Sequence, residues 1–357
     1  MNTLAKSISE KGKALATSIE PQTAESRGKA QAMALLLKFR TVLALVVVVA
    51  IFAVLAPNFL SLGNALIMLK HIAIVAILAI GMTFVILTGC IDLSVGSIAG
   101  LAGMVAGALI LNGLPLTALG VVIYPSVPLM AAMVVALGAA LGLFNGLMVN
   151  RFQVAPFIAT LGMLYMARGA AMLMSNGATF PNLVGNPALG NEGFSWLGAG
   201  MVLGIPVPVW ILAIIALGAG FVAARTTFGR RVYAVGGSER AALLSGVRVD
   251  RIKYAVYAIS GAMAAVVGML VASDLEAAHP ASGESFELSS IAAVVLGGAS
   301  LTGGRGTIAG TLTGACVIGV LGDGMVMVGI SEFWQMVIKG AVIVTAVVLD
   351  RLQERLG

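Results

Sequence analysis

An all-α, polytopic transmembrane helical bundle is the fold class this sequence predicts, and three observations predict it. Hydrophobic residues make up 59% of the 357 residues and charged residues only 10%, well below the roughly one quarter charged that soluble chains carry. Apolar runs close to the ~20 residues that cross a bilayer recur along the chain. Lysine and arginine cluster in alternate connections between those runs, as membrane topology requires. One soluble core could not bury so much apolar surface, so lipid must solvate part of it. Disorder and ordinary soluble enzyme folds are thereby excluded.

Taken in order, Met1 to Leu37 is polar, mixes lysine with glutamate and lacks the apolar core of a cleavable signal, so a cytoplasmic tail is expected over 1–37. Residues 38–350 form the transmembrane domain, and 351–357 a short cytoplasmic tail. The first span is Phe39 to Ala56, flanked by Lys38 and Arg40 and closed by Pro57-Asn58. Lys70 and His71 follow the turn after it and are expected as interfacial anchors. Further spans are expected at 72–88, 97–111, 129–149, 154–174, 207–224, 254–273, 291–301, 308–327 and 334–349, about ten in all. Ile291 to Leu301 is short for a crossing, and Leu114 to Ile123 is an extra apolar piece that either re-enters the membrane or lengthens a neighbour.

Charge supports this order. With both termini inside, all but Lys70, Arg168 and Lys339 of the 21 lysines and arginines fall in cytoplasmic segments, whereas the outer connections carry Glu192, Asp274, Glu276, Glu284, Glu287 and Glu332. The net charge of +6 therefore reports topology, and nucleic-acid binding is not expected. Only two cysteines and two histidines occur, so neither a disulfide framework nor a metal centre is expected. A phosphate-binding GxxxxGK[ST] loop is missing too, so any ATP must be hydrolysed on another chain, and no cofactor is expected.

Small residues spaced by four, Gly138, Gly142 and Gly146, suit close helix packing. Leu87-Thr88-Gly89 followed by Ser97-Ile98-Ala99-Gly100 echoes Leu301-Thr302-Gly303 followed by Thr307-Ile308-Ala309-Gly310, which fits either a parallel repeat or chance in low-complexity sequence. Between Arg225 and Lys253 lies a cytoplasmic loop far longer than a turn requires. Ser238 is placed to cap a short helix over Glu239 to Ser245, and Gly246 to stop it. Such a helix is either a lever laid in a partner's groove or a segment resting on lipid headgroups.

Read with GMTFVILTGCIDLSVG (81–96), VAPFIATLG (154–162), GESFELSSIAAVVLGGASLTGGRG (283–306) and FWQMVIKG (333–340), this loop resembles the permease subunit of ribose-type ATP-binding cassette (ABC) sugar importers. The likeness covers nearly everything after Lys38. It implies a homodimeric inner-membrane permease that takes a monosaccharide from a periplasmic binding protein and is driven by a cytoplasmic ATPase. It also implies that Ser238, Glu239, Arg240, Ala241, Ala242, Leu244 and Gly246 couple to that ATPase. Cys90, Ser289, Gly322-Asp323 and a long 114–128 stretch depart from the family pattern.

A sugar path needs polar groups that bind without trapping. Asn145, Asn150, Thr160, Thr311 and Thr313 could supply them, or could tie neighbouring helices together. Arg168 is expected to snorkel or to pair with an acid, and Asp323 and Lys339 to form a structural ion pair across adjacent antiparallel helices. Asp92 and Ser94 suit a helix start. The loops 175–206 and 274–290 are candidate docking surfaces for a periplasmic partner, or lids over the outer mouth. A gradient-driven secondary transporter is the alternative reading, but it needs buried carboxylates and only Asp323 and Asp92 are available. An intramembrane enzyme lacks a base and nucleophile within reach of each other.

Overall fold

The computed structural model describes residues 40–116 and 120–356; the expected tail over 1–37 lies outside them. The chain divides after Leu43, and all packing below belongs to the second unit, Ala44–Gly357. Helix α1 (Arg40–Leu55) stops before Pro57, and α2 (Leu62–Leu87) opens at Ser61, whose hydroxyl accepts from the Asn64 amide at 3.3 Å. Then come α3 (Val95–Leu111), α4 (Val127–Arg151) and α5 (Pro156–Leu173), the last two with proline in the first turn, where its missing N–H is harmless. A loop with a 3-10 turn (Pro187–Leu189) and one short α-helix, α6 (Trp196–Ala199), leads to α7 (Val207–Arg225). Two short helices, α8 (Thr227–Gly237) and α9 (Glu239–Leu244), precede α10 (Val249–Asp274). The chain closes with α11 (Phe286–Leu296), α12 (Ile308–Met327) and α13 (Glu332–Leu356).

Among the described residues, six helices are long and apolar enough to cross a membrane: α2, α4, α5, α7, α10 and α12. The centre is α10, which packs on α2, α3 and α4. Its approach to α4 is backbone to backbone, because a Cβ on Gly138 or Gly261 would overlap the other's carbonyl oxygen. Gly142 meets the Tyr257 carbonyl in the same way. Small residues thus substitute dispersion contact for the hydrophobic drive that lipid removes.

The apolar stretch Leu114 to Ile123 does not continue the helix before it. Gly113, at φ +64°, ends α3, and the chain turns into an antiparallel hairpin pairing β1 (Leu114–Leu116) with β2 (Val121–Ile123). Another small hairpin pairs β3 (Met201–Val202) with β4 (Ile205–Pro206).

The span expected at 291–301 is also revised. Helix α11 has 11 residues, a rise of ~16 Å and about half a bilayer core. It ends at Gly297-Gly298, where Gly298 takes φ +86° and the Gly298 and Ala299 amides bond back to the Val295 and Val294 carbonyls; Gly297 also lies against Gly310 of α12 too closely for any side chain. The segment before it folds back along the glycine face of α3, with Ala278 beside Gly107, Ser282 beside Gly100 and Gly283 beside Gly96.

Asp323 does not pair with Lys339. Its Oδ1 lies 2.7 Å from His71 Nδ1, because α12 packs along α2 and presents Asp323 to the first half of that helix. Lys70 is also committed, its ammonium 2.7 Å from Asp274 Oδ1 at the end of α10. Both residues therefore bridge helices.

Candidate functional site

The segment from Thr226 to Lys253 is built by local capping. The Thr226 hydroxyl accepts from Gly229 N and donates to Val222 O, which turns the chain from α7 into α8. Helix α8 is amphipathic: Val232 and Val235 are buried, while Arg230 and Arg231 are exposed. Ser238 then caps α9, its hydroxyl accepting from Ala241 N at 3.2 Å, and Gly246 at φ +80° ends the turn that follows. The helix that Ser238 and Gly246 bracket in the sequence is thus present, with Leu244 its last residue.

Only Ala242 of α9 is buried, against α8 and the start of α10; Leu243 and Leu244 are 61% and 81% exposed. Glu239 is bound by the Lys253 ammonium through both carboxylate oxygens, at 2.9 and 2.8 Å. That pair links the first residue of α9 to α10, so Glu239 is engaged within the chain. Ser238, Arg240, Ala241, Leu244 and Gly246 are exposed around the same small surface. The arrangement offers two leucines on a rigid stub rimmed by polar groups, a surface suited to a partner's groove.

Deeper in the bundle, Asp92 is fully buried in the break between α2 and α3. Its Oδ1 accepts from the Ser94 amide at 3.0 Å and the Ser94 hydroxyl at 2.6 Å, and its Oδ2 accepts from Ser260 at 2.8 Å. Asn145 of α4 donates to the Ser94 hydroxyl at 2.9 Å, while its own Oδ1 is buried without a partner. Asp92 thus braces the turn before α3 rather than capping the helix amides.

Each expected path residue makes a hydrogen bond within its helix or to a neighbouring element. Thr311 meets Thr83 across α2 and α12 at 2.7 Å, and Thr160 donates back to Pro156 O within α5. Asn150 reaches Asp250 O at 3.4 Å, and Thr313 returns to Ala309 O. With Asn145 they act as ties within or between helices.

On the other face, Arg168 forms no ion pair within 4 Å among the described residues. Its Nη1 donates to the carbonyls of Pro280 and Ser282, at 2.6 and 2.9 Å, and so holds the folded-back segment against α3. Sequence pattern could not reveal this, since the acceptors are backbone carbonyls more than a hundred residues away. The 175–206 loop is pinned by Asn191, which donates to Ile110 O, and by the Phe194 carbonyl, which accepts from Ser273. Phe194 is buried, which leaves Trp196 at the surface of this loop; Glu276 and Glu284 are exposed in the next one.

Residues 64–347 match the family model described as the permease component of the branched-chain amino acid transport system. The ribose import permease protein of Escherichia coli (strain K12) is 41% identical over 320 residues, 89% of this chain and 95% of that protein. Its counterpart in Bacillus subtilis (strain 168) is 42% identical over 316 residues, 87% of this chain and 91% of that protein. The xylose transport system permease protein of Escherichia coli (strain K12) is 36% identical over 352 residues, covering 83% and 87%. No solved structure matches.

Proposed function

We propose, on the premise that this chain belongs to the transport-system permease-component family, that it is the membrane permease of an ABC importer for a ribose-like pentose or a hexose. The chain is an inner-membrane transport component rather than an enzyme, and its relatives are ribose and xylose permeases. ATP hydrolysis then belongs to a separate subunit, and a periplasmic binding protein delivers the sugar.

The observation that carries the reading is the capped α9 stub, whose Leu243 and Leu244 are exposed between two helices that buttress it. It supports Ser238, Glu239, Arg240, Ala241, Ala242, Leu244 and Gly246 as the ATPase-coupling surface. Burying the two leucines would contribute about 1.5–3 kcal/mol each to association. Asn145, Asn150, Thr160, Thr311 and Thr313 then shape the path by fixing helix positions.

Six long helices, the shorter apolar helices at 41–55, 95–111 and 286–296, and α13 support a count of ten membrane-embedded segments. Their basic ends support cytoplasmic termini. The domain division follows: a tail over 1–37, the permease over 38–350 with its coupling loop at 225–253, and a tail over 351–357. Two copies form the working permease. The test is uptake of ribose or xylose into proteoliposomes holding the chain, its ATPase and its binding protein. Uptake that requires all three and ATP is expected, whereas accumulation by the chain alone on an ion gradient would overturn the reading.

A further inference from the structure

The two echoing motifs meet each other. The amide of Gly304, just after Leu301-Thr302-Gly303, donates to the carbonyl of Leu87, which opens Leu87-Thr88-Gly89, at 3.0 Å. Gly89 and Gly303 hold φ of +75° and +90°, and a Cβ on Gly303 would stand 2.7 Å from Gly89 N. Both turns end spanning structure: one closes α2, and the other opens the way into α12.

A third backbone is wedged between them. Gly236 is the penultimate residue of α8, and a Cβ there would overlap the Leu87 carbonyl oxygen and lie 2.5 Å from Gly304 N. One turn earlier, the Tyr233 hydroxyl donates to Gly306 O at 2.8 Å. Two residues after Gly236 comes Ser238, the cap of α9. The end of α8 is thus held by two turns that belong to distant parts of the chain, with no side chain in between.

Such a contact has no rotamer to absorb movement, and close-packed interiors transmit displacement rather than soften it. Helices α2 and α12 also share the Thr83–Thr311 contact, so a push on both turns reaches one packed pair. We propose that Gly236 and Tyr233 are positioning residues that lock α8 to both turns, so that movement of α9 passes to α2 and α12 together as one rigid body. The inference rests on the proposed function, because the movement comes from the ATPase.

Two measurements on the full complex test it. Gly236→Ala is expected to keep ATPase bound but to lower sugar uptake per ATP hydrolysed by about tenfold. Tyr233→Phe, which loses only the hydroxyl, is expected to lower the same ratio less. An unchanged ratio in an assembled Gly236→Ala complex overturns the joint. Because that variant can fail to fold, the second measurement leaves Gly236 in place. With Cys90 and Cys316 replaced, spin labels are placed at Gly237→Cys, where a Cβ has open space, and at exposed Arg305→Cys. Their distance is expected to be the same in nucleotide-free and vanadate-trapped states, and a shift between states overturns the joint. Absence of ATP-driven uptake by the unmodified complex would overturn the proposed function and this inference together.

Discussion

The hydroxyl of Ser260, midway along α10, donates to a carboxylate oxygen of Asp92 at 2.8 Å, joining the central helix to the break between α2 and α3. The same carboxyl group serves the Ser94 amide and hydroxyl. Asp92→Ala would leave these donors buried and unpaired, at about 1–3 kcal/mol for each group left unsatisfied. Asp92→Asn keeps an oxygen acceptor and the shape. Thermal unfolding in detergent is expected to rank the wild type above Asp92→Asn and Asp92→Asn well above Asp92→Ala. Equal losses in the two variants would show that the carboxylate charge matters and the geometry does not.

The His71–Asp323 pair, at 2.7 Å, ties the first half of α2 to the last turn of α12. His71→Ala and Asp323→Asn are each expected to destabilise the chain, and the double variant to be less destabilised than the sum. A coupling of about 0.5–3 kcal/mol is the range for contacting residues. Lys339→Met is expected to be near neutral, because Lys339 is not within 4 Å of a carboxylate among the described residues. The double-mutant cycle on thermal stability is the check; additive losses at His71 and Asp323 would refute the pairing.

Which partner Asp323 takes could not be seen in local pattern. Lys339 is 16 residues away and His71 is 252 away, and periodicity carries no information about which helix lies beside which. The same reason hid the Arg168 clamp, whose acceptors are carbonyls with no residue-type signature. By contrast, the long spans and α9 were legible, because hydrophobic length and capping are properties of contiguous residues: Ser238 and Gly246 stand where the helix starts and stops. Helix α11 falls between the cases. Its apolar run reads as a crossing, although the Gly297-Gly298 pair that ends it, with Gly298 at φ +86°, stands in the sequence itself. The path residues were legible as polar groups in apolar helices, yet their pairings, such as Thr83 with Thr311, depend on packing.

On α9, Leu244 is 81% exposed while Glu239 is bonded to Lys253, so substitutions at the two sites should differ in kind. Leu244→Glu removes apolar contact with the ATPase and adds a charge to be desolvated. Association is expected to weaken by about ten- to a hundredfold with no change in the permease's own stability. Glu239→Lys breaks the pair with Lys253 instead, and Lys253→Glu in the same chain should restore it. Exposed pairs contribute only about 0.2–1 kcal/mol, so the readout is ATPase affinity rather than melting. Failure of the charge reversal to recover affinity would mean that Glu239 contacts the ATPase directly.

Arg168 holds the segment 278–285 through two carbonyls, and the guanidinium geometry lets one nitrogen serve both. Arg168→Met removes the donor and leaves the Pro280 and Ser282 carbonyls unpaired where Gly100 admits no other group, since a Cβ there would lie 2.6 Å from Ser282 O. Hydrogen bonds to charged groups contribute about 1.5–3 kcal/mol, so the segment should open far more often than in the wild type. Arg168→Lys offers a shorter reach and a point charge, and should recover only part of the effect. Hydrogen exchange over 278–285 is the direct measure: faster exchange confined to this segment in Arg168→Met, and intermediate rates in Arg168→Lys, are expected. Exchange that rises equally across α3, α5 and α10 would instead make Arg168 a general support of the bundle, and the folded-back segment would owe its position to the glycine face of α3 alone.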